Sequence, residues 1–118
     1  MEKRNNEFEE LLVREGLASH RAETWNTHKV FDDGHEIVRF LTAEVESGKW
    51  AVGYDMYFAD GRSAHRVPNL AYGWGGSERV VMLWMTGYCL SWGTWFSAEA
   101  RAAIKDEQLR WRQLSLFD

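Results

Sequence analysis

Residues 33–67 read DGHEIVRFLTAEVESGKWAVGYDMYFADGRSAHRV and contain three turn signals at nearly even spacing. The signals are Asp33-Gly34, Ser47-Gly48 and Asp60-Gly61. Each pair supplies a glycine that can take the positive φ that tight hairpins need. The spacing therefore predicts four consecutive antiparallel strands, at about 23–31, 35–46, 49–58 and 62–67.

The alternation of apolar residues predicts which face of this meander is buried. If Ser47-Gly48 is a two-residue loop, Glu46 faces Lys49, and eight side chains share one inner face. These eight are Ile37, Leu41, Ala43, Val45, Trp50, Val52, Tyr54 and Phe58. A two-residue loop at Asp60-Gly61 sets Asp55 against Arg66 on the outer face and Tyr54 against Val67 on the inner face. A three-residue loop before His35 places Trp25 and Phe31 on the inner face too.

Helices are predicted before and after the meander in the sequence. Residues 4–17 carry one apolar stripe of Phe8, Leu11 and Leu12. Pro68 ends the fourth strand, and Ser77 caps a helix over about 78–91. No residue from Val80 to Ala98 is charged, so this helix is expected to be buried on the sheet.

Beyond Gly93, Ser97 caps a last helix, 98–112, which lies on the surface because its apolar positions are few and Ala100, Ile104 and Trp111 make only a thin stripe. The fold class is α+β: an N-terminal helix, a four-stranded meander, a buried helix, a C-terminal surface helix and an extended tail.

Length and composition predict one domain in a reducing compartment. The 118 residues suffice for a single core but not for two. The single cysteine, Cys89, lies in the most apolar run and is expected to be a buried small hydrophobe. Met1 is followed by a charged segment, so no signal peptide or membrane anchor is expected. A cytoplasmic protein is predicted.

The charge distribution does not predict direct binding to nucleic acid. Residues 1–48 carry six Lys and Arg against eleven Asp and Glu, and residues 49–112 carry eight against six. A protein that grips phosphates usually presents a clustered basic face. The aromatic residues Tyr72, Trp74, Trp92 and Trp95 are therefore interpreted as packing rather than as a platform for single-stranded bases.

No catalytic or metal-binding motif stands out, so no catalytic residue, metal or cofactor is predicted and enzyme activity is not expected. His35-Glu36 begins like a zinc protease motif, but Arg39 stands where the second His is required. Asp55, Asp60 and His65 lie on adjacent strands, but the predicted register puts His65 on the inner face and Asp55 on the outer one. A nuclease-like cluster is therefore the less favoured interpretation.

The chain closes with Gln113, Leu114, Ser115, Leu116 and Phe117, followed by Asp118. Leucines alternating with polar residues have a period of two, which suits an extended segment. Exposed chain ends are normally polar. An apolar run at this position predicts either a segment that folds back on its own domain or a peptide for a partner's pocket.

The string QLSLF resembles the short peptide by which bacterial polymerases, repair proteins and replication regulators dock on the DNA polymerase sliding clamp. All five positions match, and the resemblance covers residues 113–117 only. It implies that Gln113 is held by hydrogen bonds at the pocket rim and that Leu114 makes a side contact. Ser115 would be a spacer, and Leu116 and Phe117 would fill the apolar pocket.

The sequence thus predicts a single α+β domain, 1–112, followed by a clamp-docking peptide, 113–118. The expected function is a replication or repair accessory, or a clamp competitor, possibly of a phage or mobile element. Contact with nucleic acid would be indirect, through the clamp. The alternatives are a small nucleic-acid-modifying enzyme recruited by the tail, with its site on the outer face of the sheet, and a partner-binding domain whose tail packs on its own body.

Overall fold

The computed structural model describes residues 20–92 and 95–114. It contains a four-stranded antiparallel sheet in the order β1-β2-β3-β4, a short 3-10 helix and two α-helices. Their bounds are β1 Asn26–Asp32, β2 Ile37–Glu46, β3 Lys49–Tyr57, β4 Ser63–Arg66, the 3-10 helix Leu70–Tyr72, α1 Glu78–Leu90 and α2 Ala98–Leu114. The α+β class and the four-stranded meander are confirmed. The helix predicted for residues 4–17 lies outside the described residues.

The core lies between one face of the sheet and the two helices. Val38 and Phe40 of β2 and Val52 and Met56 of β3 are buried there. From the helices, the core receives Val81, Met82, Met85, Cys89, Ala100, Ile104 and Trp111. The prediction that an apolar helix covers the sheet is confirmed, as is the burial of Cys89, Val52 and Phe58.

The predicted pairing of Glu46 with Lys49 is confirmed, but from Glu44 to Ile37 the predicted pairing of β2 with β3 is wrong by one residue. Ile37 pairs with Tyr57 and Phe40 with Tyr54, and the register shifts between Glu44 and Glu46. The cause is a bulge at Val45, beside the turn. Gly48 takes a φ of 75° while Ser47 does not have positive φ, whereas a two-residue type I′ turn needs positive φ at both positions. The extra residue of the bulge flips β2, so its even-numbered side chains face the core instead of its odd-numbered ones.

The second hairpin departs from the prediction in the same way. Phe58 donates its N–H to Arg62 O at 2.8 Å, and Gly61 donates to Phe58 O at 3.0 Å. These two bonds close a three-residue loop over 59–61 with Gly61 at φ 90°. Asp55 therefore lies opposite His65, not Arg66, and Tyr54 lies opposite Arg66.

A bulge between Lys29 and Phe31 places Trp25 and Phe31 on opposite faces of the sheet, although both were expected on the inner face. Phe31 packs against the core, as predicted. Trp25 instead lies with residues of the outer face, because the extra residue reverses the alternation between them.

Part of the outer face is covered by the chain that follows β4. A Cβ atom placed on Gly53 would lie 1.9 Å from the carbonyl oxygen of Arg66, so the chain crosses β3 directly over this glycine. Under the crossing, Leu41, Ala43 and Ala51 are buried although they point away from the core. The chain then returns to pair Gly75 with Trp50 through two hydrogen bonds of 2.9 Å.

Two carboxylates tie the helices to the sheet. Glu36, just before β2, is only 1% exposed and accepts hydrogen bonds from the backbone N–H and the hydroxyl of Ser97, immediately before α2. In the first turn of α1, Glu78 accepts from the Thr42 hydroxyl at 2.6 Å and from the Asn26 amide at 3.0 Å. His28 Nε2 lies 3.1 Å from the same carboxylate. Both helix N-termini are thereby fixed in place.

Replacing Gly53 by alanine should strongly destabilise the protein, because the added methyl group collides with backbone that no rotamer change can move. We expect a loss of about 3 kcal/mol or more in the free energy of unfolding. Gly76→Ala is the matched control, since no atom beyond its chain neighbours lies within 4 Å of the position that the new Cβ would occupy. Urea denaturation of both variants measures the difference. Equal stability of Gly53→Ala and wild type would rule out the crossing.

Stability should fall in acid partly through Glu78. Partial burial raises the pKa of Glu78, but hydrogen bonds from Thr42, Asn26 and His28 outweigh it and hold this pKa below the ordinary 4.5. A lowered native pKa stabilises the fold above pH 4.5 and loses that contribution as the pH drops through the native value. Urea unfolding at successive pH values should show a smaller acid loss in Glu78→Gln than in wild type. Parallel curves would contradict this role.

Candidate functional site

The residues of the clamp-like peptide begin inside α2. This helix extends to Leu114, two residues beyond its predicted end, so Gln113 and Leu114 belong to its last turn. The Gln113 side chain is exposed. Ser115, Leu116 and Phe117 lie outside the described residues. The structure thus shows where the peptide starts and does not bring its five residues together.

The helix that carries the peptide is anchored along its length. Ala100, Ile104 and Trp111 are buried, as their spacing predicted. Trp111 donates its indole N–H to Glu107 Oε1 at 2.9 Å, and its ring contacts the His28 ring edge-on with centroids 5.6 Å apart. Trp111 thus fixes α2 to the body two residues before Gln113.

A row of charged and polar side chains crosses the outer face of the sheet. Lys29 of β1 lies opposite Arg39 of β2, Arg39 opposite Asp55 of β3, and Asp55 opposite His65 of β4. The prediction that His65 points inward, away from Asp55, is wrong because the three-residue loop shifts β4 by one position. The row brings together groups that the predicted register had separated.

Asp55 links two members of this row. Arg39 Nη1 donates to Asp55 Oδ2 at 3.0 Å, and His65 Nδ1 is hydrogen bonded to Asp55 Oδ1. Because an ionised carboxylate only accepts, His65 Nδ1 carries the hydrogen, and in the neutral ring Nε2 is the acceptor. Asp55 and Arg39 are about 30% exposed, at 29% and 32%, and His65 is 48% exposed. An imidazole with a fixed tautomer is thus presented beside a guanidinium.

A cleft of about 520 Å³ opens next to the row. Thr27 and Leu41 line it from β1 and β2, Val67 of the crossing chain forms part of its wall, and Trp25 lies along it with 40% exposure. Asp60 is not part of this site, since it binds Arg62 within its own turn. Trp25 and Arg39 were not singled out as cleft residues from the sequence, because their placement depends on the bulges in β1 and β2.

A second surface is formed by α1, which was predicted to be a buried helix. The helix buries Val81, Met82 and Met85 but exposes the ridge of Val80, Trp84 and Tyr88. Trp74 lies beside the start of this ridge and Trp95 beyond its end, and both are exposed. We call Trp74, Val80, Trp84, Tyr88 and Trp95 the aromatic surface.

The described residues offer no metal site and no reactive thiol. Within residues 20–92 and 95–114, no three His, Cys, Asp or Glu side chains are grouped so that they could hold a metal ion. Burial raises the pKa of the Cys89 thiol to about 12, so it is protonated at neutral pH and a poor nucleophile. Neither helix of this part of the chain has the length and apolar character needed to cross a membrane.

Comparison with protein-family models, with curated proteins and with solved structures found no match for this chain. Three features of the molecule itself bear on its function: the end of α2, the outer-face cleft and the aromatic surface.

Proposed function

We propose that this protein docks on the DNA polymerase sliding clamp through residues 113–117 and serves as a replication or repair accessory or as a clamp competitor, with a phage or mobile element as a fitting source. Gln113 would bind the rim of the clamp pocket, and Leu116 and Phe117 would fill it. The observation that carries the proposal is the match of all five residues, QLSLF, to the clamp-docking peptide.

The way α2 is held supports this proposal. A docking peptide works best when its attachment point is fixed and the peptide itself is accessible. Trp111 is buried against the body, while Arg112 and Gln113 are exposed. Gln113, the first residue of the peptide, is therefore accessible two residues beyond the buried Trp111.

Docking as an extended peptide requires Gln113 and Leu114 to leave the helix. The cost is small, since the last four carbonyl groups of a helix have no intrahelical partner and terminal residues fray. The residues from Ala98 to Trp111 can keep their helical bonds and their buried anchors during this change. Binding should therefore remodel the last turn of α2 without disturbing the core.

The loss of clamp binding caused by each alanine substitution should follow the contact that the side chain makes with the clamp pocket. Leu116→Ala or Phe117→Ala should weaken clamp binding by about thirty-fold or more, because a central anchor contributes about 2 kcal/mol. Gln113→Ala loses hydrogen bonds that contribute about 0.5 to 1.5 kcal/mol and should have an intermediate effect. Ser115→Ala is the matched control and should bind like wild type. Titration of labelled bacterial clamp measures all four.

Deletion of residues 113–118 separates this proposal from a tail that packs on its own body. If the tail docks on the clamp, the deletion should abolish clamp capture and leave the melting temperature nearly unchanged, because the buried Trp111 remains. A large fall in melting temperature would favour the packed tail. Equal clamp binding by wild type and Phe117→Ala would end the docking proposal.

A second candidate function, a nucleic-acid-modifying enzyme recruited by the same tail, is favoured by the outer-face cleft. His65 would act there as a general base, with Nε2 taking the proton of the attacking water or hydroxyl while Asp55 holds Nδ1. The N–H groups of Arg39 that do not bind Asp55 would bind the phosphate. Trp25 would offer a face on which a base can stack.

Cleavage of labelled single-stranded and duplex DNA and RNA, with and without Mg²⁺, tests the second candidate. Activity that is present in wild type and lost in His65→Ala would establish it. His20→Ala is the matched control, since His20 pairs with Glu46 outside the cleft. Wild type without activity on every substrate, or activity that survives His65→Ala, would remove the cleft from consideration as this kind of active site.

A further inference from the structure

Helix α1 is more apolar than its packing within one chain requires. No residue between Val80 and Ala98 is charged, and a helix that is hydrophobic all round is normally buried all round. In this structure, only one side of α1 faces the sheet and α2. The outward ridge leaves Trp84 48% and Tyr88 49% exposed.

The exposed side chains form one continuous surface rather than scattered positions. Val80, Trp84 and Tyr88 are spaced at i, i+4 and i+8, which places them in line along the helix. The rings of Trp84 and Tyr88 are stacked, with centroids 6.3 Å apart and planes 28° from parallel. Tyr88 contacts Trp92 at 5.2 Å, and Trp92 contacts Trp95 at 5.9 Å. The ring contacts thus hold the outward side chains in a fixed arrangement.

The area of this surface is large for a chain of this size. Aromatic side chains bury about 150 to 250 Å² each, so five residues that are about half exposed present on the order of 500 Å². The largest apolar patch on a typical monomer covers roughly 300 to 600 Å² and is often functional. At about 500 Å², the aromatic surface is in the upper half of this range and is therefore comparable in area to patches that bind a partner.

We propose that the aromatic surface is the interface of a symmetric dimer and that its occupant is the same surface of a second copy. A two-fold axis places identical patches against each other, so a patch with any net charge would repel itself. The segment 80–98 carries none. A ridge of residues four apart is also the feature that packs into the corresponding groove of an identical helix.

The charges at the two ends of the surface are compatible with this pairing. Lys49 lies over the Trp74 ring at 5.0 Å, and Arg62 lies over the Trp95 ring at 3.9 Å. Each cation already has a carboxylate partner in its own chain: Glu46 is 3.4 Å from Lys49, and Asp60 is 2.6 Å from Arg62. Neither of these two cations therefore adds an unpaired charge to the rim of the interface.

The size of the interface sets its expected strength. About 500 Å² per copy falls below the roughly 800 Å² per partner of standard stable interfaces. We therefore expect a dimer that dissociates in the micromolar range. If the clamp proposal also holds, on which this consequence alone rests, two tails on one dimer would engage two subunits of the clamp ring and gain avidity.

Sedimentation velocity of the full chain, without clamp, tests the dimer between about 1 and 200 μM, a range that brackets a small interface. Wild type should shift from monomer to dimer as the concentration rises. Trp84→Glu should weaken association by at least about 100-fold, because symmetry places the new charge in the interface twice. Leu109→Glu is the matched control, since Leu109 is equally exposed but lies on α2 outside the aromatic surface.

Circular dichroism must show that both variants keep the wild-type helix content, as expected for substitutions at exposed positions. Tyr88→Glu provides a second variant should Trp84→Glu lose structure. Wild type that stays monomeric over the whole range would overturn the proposal. So would a dimer that Trp84→Glu and Tyr88→Glu leave intact, or that Leu109→Glu disrupts to the same extent. Because clamp is absent, these outcomes are independent of the docking proposal.

Discussion

The carboxylate of Glu36 holds the element on which the proposed function depends. It is almost fully buried and accepts two hydrogen bonds from Ser97, whose own hydroxyl oxygen accepts the N–H of Ala100 at 3.1 Å. A negative charge at the start of a helix is also favoured by the helix dipole. This contact connects the turn before β2 to the first residues of α2. The contact fixes the start of α2, and the buried Ala100, Ile104 and Trp111 set the direction in which the helix runs to residue 113.

The comparison of sequence and structure shows which features a pattern of residues can predict. The three Gly-containing turns correctly predict four strands, their order and their ends to within about three residues, because each turn needs a glycine at one position. They do not predict which face each strand buries. Val45 is the extra residue in one bulge, and Gly61 closes a loop one residue longer than expected. Each shift of one residue reverses a face, so Thr42 faces the core where Leu41 was expected, and Leu41 is buried on the opposite face under the crossing chain.

These small shifts decide what the candidate sites contain. The charged row of Arg39, Asp55 and His65 exists because the bulge shifts β2 and the longer loop shifts β4, each by one residue, and no periodicity in the sequence reports these displacements. The proposed docking peptide is different: residues 113–117 were singled out by their identity alone, since a short docking peptide needs no particular fold around it. The length of the uncharged segment predicted a buried helix correctly for one side of α1. The length of this segment did not predict that the other side of α1 is left uncovered by residues 20–92 and 95–114.

The central claim is that the clamp contacts the end of α2 and leaves the body unchanged. The most direct test is an NMR titration of the ¹⁵N-labelled protein with unlabelled clamp, at a clamp concentration that saturates binding. The account predicts that amide signals of residues 112–118 shift or broaden beyond the uniform broadening of the complex, whereas the relative positions of signals from β2 and β3 stay unchanged. Specific shifts along β2 and β3 with residues 112–118 unaffected, or no change at all, would contradict it.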